Sequence, residues 1–194
     1  MSVVGVILTG GLSRRFGSPK ALAMYESHMF YEIVAQRLAP FVDKVIISTS
    51  KQLLPRWEKA KNLTNIKIVT DEDRFAGEGP LAGIYSAMVA EEADQYLVLP
   101  CDTPFIGVEI LEQLICSNSS ADVIAFQCQN RKHPLVGFYR RSNLEQIALF
   151  LESGNRRVMD YLTIVETSWI MAKPEYEGMF QNINQPQDLQ VTNQ

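Results

Sequence analysis

Short runs of β-branched and aliphatic residues alternate along this chain with stretches whose apolar positions recur at helical spacing. Residues 3–9 form a continuous apolar run, the pattern of a strand covered on both faces. Phe30, Ile33, Val34 and Leu38 then share one face of a helix that runs up to Pro40. Residues 44–50 (KVIISTS) predict the next strand, 52–61 a helix and 66–70 a third strand. Leu81, Ile84 and Met88 mark a helix that begins just after Pro80, where proline suits a first turn. Residues 96–99 (YLVL) predict a strand stopped by Pro100, and Val108, Leu111 and Ile115 give another helical face. In the second half, 123–126 and 135–139 read as strands, 144–151 and 157–162 as helices, and 165–170 as a strand. The tail QNINQPQDL is polar turn chemistry leading into a short final helix.

This alternation predicts an α/β fold, a three-layer, doubly wound and mostly parallel sheet with helices on both faces. No repeat, low-complexity segment or linker interrupts it, so residues 1–194 are expected to form a single domain. Open α/β sheets bind ligands at the carboxyl ends of their strands. Three loops follow strands here, at residues 10–20, 71–80 and 100–104, and they hold most of the unusual residues.

Composition narrows the function. Apolar residues make up 46% of the chain and charged residues 21%, enough apolar material for a packed core without disulfides. The formal charge of −4 argues against non-specific nucleic-acid binding. A site for phosphates must therefore gather its positive charge locally. The amino terminus has no basic n-region and ends its apolar run in glycines, so it reads as a first strand rather than a signal peptide. No run is long enough to span a membrane. The three cysteines, Cys101, Cys116 and Cys128, are odd in number and show no CxxC spacing, which predicts reduced thiols and a cytoplasmic location.

The first loop, LTGGLSRRFGSPK at residues 8–20, carries phosphate chemistry. Gly10 and Gly11 let backbone amides approach a ligand, while Arg14, Arg15 and Lys20 concentrate positive charge in an acidic protein. The spacing is neither a Walker A loop nor a GxGxxG fingerprint. In YLVLPCDTP an apolar strand delivers Asp102 to its carboxyl end. A lone rigid carboxylate suits magnesium, which takes few protein ligands alongside substrate phosphates. Asp102 could equally cap the following helix. Asp71, directly after a strand, could touch ribose, base or metal, or belong to a solvated acidic loop. Cys101 reads as a small buried cysteine with no base beside it. His28 is expected on a helix surface and His133 at a strand start, neither of them catalytic.

Together these segments resemble the molybdenum cofactor guanylyltransferases of the MobA type, within the nucleotidyltransferase-like superfamily. The family's LAGGxSxRMGxxK opening stands here as LTGGLSRRFGSPK, its GPLAG as residues 79–83 and its CDTP as residues 101–104. Its RRVM stands at 156–159, and its NxNxPxDL at 182–189. Thr9 stands where alanine is usual, Phe16 where methionine is usual and Pro19 where aspartate is frequent. The resemblance implies a nucleotide-diphospho-sugar-transferase-like, Rossmann-like fold and a magnesium cofactor (Mg2+). It implies GTP contacts at Leu8, Thr9, Gly10, Gly11, Lys20, Asp71 and Asp102, with Asp102 also on the metal. Lys20, Asp102 and Arg15 would be the catalytic set, and Asn182 and Asn184 would lie toward the pterin.

The implied reaction moves GMP from GTP onto the phosphate of molybdopterin, with release of pyrophosphate. Its partners are GTP and the molybdopterin or molybdenum cofactor, with room for other cofactor-biosynthesis proteins, and neither nucleic acid nor membrane. A cytidylyltransferase acting on the same pterin shares most of these motifs. A sugar-phosphate nucleotidyltransferase and a silent GTP-binding module are the remaining readings.

Overall fold

The computed structural model describes residues 1–10, 19–57, 65–185 and 187–189. The chain opens with β1 (Val3–Leu8), a small hairpin of β2 (Met24–Tyr25) and β3 (His28–Met29), and helix α1 (Phe30–Leu38). It continues through β4 (Lys44–Thr49), β5 (Ile66–Thr70), α2 (Pro80–Ala90), β6 (Gln95–Pro100) and α3 (Val108–Ile115). The second half adds β7 (Val123–Cys128), β8 (Arg131–Arg140), α4 (Asn143–Glu152), α5 (Val158–Tyr161) and β9 (Thr167–Ala172).

Among the described residues, seven strands form one sheet in the order β5-β4-β1-β6-β8-β7-β9. β5, β4, β1 and β6 are mutually parallel. β8 runs antiparallel to both β6 and β7, and β9 is parallel to β7. The sheet is therefore mostly parallel, as its apolar strands predict, with one reversed strand in its second half.

Alternation along the strands supplies two cores. Ile7, Ile47, Leu97, Leu99, Phe126 and Phe138 pack on one face against α1 and α3, together with Trp57 and Phe180. Val4, Val6, Leu8, Ile46, Tyr96 and Val98 pack on the other face against α2, α4 and α5. Helix α2 buries residues 81–88 without interruption because it lies between the sheet and α4. Its PLAGIYSAMVA sequence has no charged residue to resist that.

Several expectations change. Of the helix expected at 52–61, a 3-10 turn at Leu54–Trp57 is seen, and residues 58–61 lie outside the described residues. Pro55 lacks the amide that a helix interior needs. His28 sits exposed in β3, not on a helix, because the chain folds back at Glu26, whose φ is 53°. β8 starts at Arg131 rather than residue 135, and β9 spans Thr167–Ala172 rather than 165–170. The tail turns through a 3-10 segment at Pro174–Phe180 and another at residues 187–189. Among the described residues no helix is long and apolar enough to cross a membrane.

Candidate functional site

The four parallel strands end on one edge of the sheet, and the loops that follow them meet there. Leu8 and Thr9 close β1. The Thr9 amide donates to the Ser48 carbonyl at 2.9 Å, and its hydroxyl donates to the same oxygen at 2.7 Å. On the other side the Cys101 amide donates to the Leu8 carbonyl at 3.0 Å. The start of the first loop is thus fixed between β4 and β6. Thr9 is buried and spends its hydroxyl inward, on the Ser48 carbonyl.

Helix α2 enters from Gly79, whose φ of 88° favours glycine, with Pro80 in the first turn. Gly83 lets this helix approach β4, since a Cβ there would lie 2.5 Å from Ser48 Oγ and 3.1 Å from Leu8 Cδ2.

Lys20 lies in a 3-10 turn (Lys20–Leu22) and reaches Asp102 just beyond β6. Its Nζ is 3.0 Å from Asp102 Oδ2 and 2.6 Å from Asn184 Oδ1. Both side chains of the ion pair are mostly buried. The carboxyl-terminal segment is docked onto this pair, for the Ile183 amide donates to the Asp102 carbonyl at 2.8 Å. Asp188 caps that segment by accepting from the amides of Asn184 (2.7 Å) and Gln185 (3.0 Å). The Asn184 amide above all holds the Asp188 carboxyl below its ordinary range. Cys101 is buried, and desolvation pushes its thiol well above the ordinary range, with the Asp102 charge adding to that. It is no nucleophile.

Asp71 follows β5 and accepts from the Gly77 amide at 3.0 Å. Burial raises its pKa, and the Gly77 bond partly offsets this. Two ion pairs brace the loop from behind. Arg74 bonds Glu152 at 2.9 Å while lying over the rings of Phe75 and Tyr85, and Arg156 forks onto Glu78. The RRVM pair thus contributes one arginine to holding the turn that leads into α2.

The opposite wall comes from the tip of the β7–β8 hairpin. Between Ala125 and Phe126 the register jumps, so that Ala125 faces Gly137 but Phe126 faces His133, leaving residues 134–136 as a bulge. Bulges of this kind re-aim side chains beside functional sites. Arg131, Lys132, His133 and residues 134–136 all line the cavity. Lys132 Nζ lies 4.5 Å from the Trp169 ring centroid. His133 is 8% exposed and packs on the Phe180 ring with centroids 4.4 Å apart. Burial, and secondarily the Arg131 charge, lowers its pKa to about 4, so it is neutral at pH 7.

These walls enclose a cavity of about 840 Å³, the size of a small-molecule site. Among the described residues it gathers four cationic side chains (Lys20, Lys51, Arg131 and Lys132) against two carboxylates, Asp71 and Asp102. An acidic protein has built a locally positive cleft. Leu8, Thr9, Gly10, Lys20, Asp71, Asp102 and Asn182 all line it, and Asn184 joins through Lys20. Gly11, Arg14 and Arg15 lie outside the described residues. The strand end at Ser48–Ser50 and the Arg131–His133 wall went unread in the sequence. A proline at 134, inside a strand, was the available signal for the bulge.

The family described as the MobA-like NTP transferase domain matches residues 5–167. A protein of Halalkalibacterium halodurans named "Probable molybdenum cofactor guanylyltransferase" is 36% identical over 191 residues, covering 96% of this chain and 95% of its own. One of the same name from a Geobacillus species is 34% identical, covering 96% of each chain. The solved structure of molybdopterin-guanine dinucleotide biosynthesis protein A from Archaeoglobus fulgidus superposes with a TM-score of 0.78 at 22% identity, covering 97% of this chain and 95% of that one.

Proposed function

This chain belongs to the MobA-like NTP transferase family, and from that premise we propose that it transfers GMP from GTP to the terminal phosphate of molybdopterin. The observation that carries the reading is the meeting of Lys20 and Asp102 at the sheet edge, from loops 82 residues apart. A phosphoryl-type transfer needs a cation for the phosphates and an anchor for a metal, held in register by a rigid scaffold.

The backbone of Leu8, Thr9 and Gly10 and the carboxylate of Asp71 hold the nucleotide in this reading. Gly11 and Arg15, which the family motif adds to this set, lie outside the described residues. Lys20 exchanges Asp102 for a phosphate oxygen when GTP binds. Asp102 fits magnesium: it is one hard oxygen donor at a strand end, and among the described residues no three His, Cys, Asp or Glu side chains gather into a fuller cage. When bound there, magnesium would offset phosphate charge as a Lewis acid.

An oxygen of the acceptor phosphate forms a bond to the α-phosphorus of GTP. The bond from that phosphorus to the bridging oxygen breaks, and its electron pair leaves with pyrophosphate. A phosphate monoester is already ionised at pH 7, so no base need remove a proton. The site agrees, since Cys101 is shut off by burial and the neutral His133 is held well away from a titration near pH 7. We assign Asn182, on the cavity wall, and Asn184, which accepts from Lys20, to the pterin end of the acceptor. The free thiols Cys101, Cys116 and Cys128 suit the reducing cytoplasm.

The test is pyrophosphate release by the purified protein with magnesium and molybdopterin, comparing GTP with CTP. Release with GTP alone is expected. Release with CTP alone would move the protein to cytidylyl transfer, and silence with both, beside a working enzyme, would overturn the pterin reading.

A further inference from the structure

Apart from Asp102, the proposed GTP contacts lie on β1, β5 and their loops, which occupy one half of the sheet edge. The strand order places β6, with Asp102 at its end, in the middle and β8 on the far side. The cavity extends across all of them, as far as the stretch from Arg131 to the bulge at residues 134–136. That second half has features a ligand would explain. His133 is more than nine-tenths buried and lines the cavity, yet among the described residues its imidazole nitrogens have no hydrogen-bond partner. A buried polar group left unpaired costs stability unless something visits to satisfy it.

The arm carrying it is held in place. Gln129 Nε2 donates to Glu177 Oε2 at 2.5 Å, Gln127 Nε2 donates to the Gln129 carbonyl at 3.0 Å, and the Tyr139 hydroxyl donates to the Pro134 carbonyl at 2.8 Å. Trp169 supports Lys132 from β9, across the intervening β7. A braced, cationic arm ending in an unsatisfied imidazole is arranged to receive an anionic ligand that also carries ring hydrogen-bonding groups.

We propose that this face of β8 is the acceptor subsite, in which His133 hydrogen-bonds the polar heteroaromatic ring of the acceptor while Arg131 and Lys132 counter its negative charge. The inference rests on the pterin-acceptor reading above. It makes His133 a binding and specificity residue, with no part in moving protons. The imidazole is neutral at pH 7, so it offers one donor and one acceptor without adding charge beside Arg131. A pterin supplies ring nitrogens and an amino group that match such a pair. The nucleotide half of the cavity has no contact with this arm in the proposed arrangement, so the two substrates should respond differently to its loss.

The experiment measures steady-state pyrophosphate release and melting temperature for the wild type, His133→Leu, His133→Gln and the double variant Arg131→Ala/Lys132→Ala. Leucine should raise KM for molybdopterin about tenfold, the loss of one hydrogen bond, and leave KM for GTP within about twofold. Glutamine, which keeps a donor and an acceptor, should recover most of that loss. The double variant should raise the same KM, with an effect that shrinks as salt is added. The melting temperature of His133→Leu without substrates should equal or exceed that of the wild type, because an unpaired polar group has been removed. A merely structural histidine would instead lower it. Unchanged KM for molybdopterin in every variant, or equal rises in both KM values, would overturn the inference. Absence of wild-type turnover with molybdopterin would strike the underlying reading instead, so the two failures are distinct.

Discussion

Lys20 and Asp102 form an ion pair, and both must change partners for the proposed reaction to run. Asp102→Asn keeps the size of the side chain and an oxygen for Lys20. The docking of Ile183 is untouched because it uses the Asp102 backbone carbonyl. Turnover should fall by at least about two orders of magnitude, as for other losses of a charged group facing the transition state, while stability moves by about 1 kcal/mol or less. Pyrophosphate assays beside a urea melt check both, and an active Asp102→Asn protein would remove this residue from the metal site. Thr9→Ala runs the other way. The Ser48 carbonyl keeps the Thr9 amide, so only the buried hydroxyl bond at 2.7 Å is lost. We expect about 1 kcal/mol of lost stability and kinetics within about twofold of the wild type. A large change in KM for GTP would mean that the hydroxyl faces the nucleotide after all.

At the level of elements, most strands and helices were legible because each buries a continuous apolar run or a helical stripe. The sequence missed what depends on partners. The β2–β3 hairpin is too short for any period to show. The outer half of β8 reads as charged and proline-containing, and it becomes a strand because β7 pairs with it across a bulge. Its reversed direction follows from the short turn at residues 129–130, which alternation alone does not reveal. Lys20 and Asp102 each stood out in their own loops, whereas their contact is a product of the β1–β6 pairing. The close packing of α2 on β4 was equally hidden, and it gives a test. Gly83→Ala would gain about 1 kcal/mol of helix propensity. Its methyl would meet Ser48 Oγ at 2.5 Å and Leu8 at 3.1 Å, between buried neighbours with little room to yield. Overpacking of this kind costs about 1–3 kcal/mol, so the clash should win. The variant should unfold at lower urea and show a raised KM for GTP, since both displaced residues line the part of the cavity proposed for the nucleotide. A more stable Gly83→Ala protein would mean that Ser48 rotates away freely.

Across the whole molecule, the unsatisfied histidine should leave a mark on stability as pH falls. His133 has an ordinary value of 6.5 and a folded value of about 4, so between these the unfolded chain binds more protons. Stability from this group is therefore complete above pH 6.5 and is lost progressively as pH falls toward 4. Between pH 7 and pH 5 the loss is on the order of 2 kcal/mol. Asp188 adds to acid sensitivity, because its lowered value means stability that is lost at still lower pH. Asp71 opposes it: its raised value makes the ionised form unfavourable in the fold, so its protonation on acidification relieves a cost. Asp188 shifts downward, away from the His133 window, whereas Asp71 shifts upward and acts with the opposite sign, so the histidine is isolated by comparing the wild type with His133→Leu. Urea melts of the wild type at pH 7 and pH 5 should differ by that order of energy, and His133→Leu should flatten the difference. If the slope survives the substitution, the acid-labile group lies elsewhere, and the imidazole is solvated well enough to charge in the folded state. If the slope disappears, the protein is carrying a buried, unpaired polar group in its cleft at a measurable cost to its own stability. Such a cost is the expected companion of a site shaped for a ligand rather than for the empty fold.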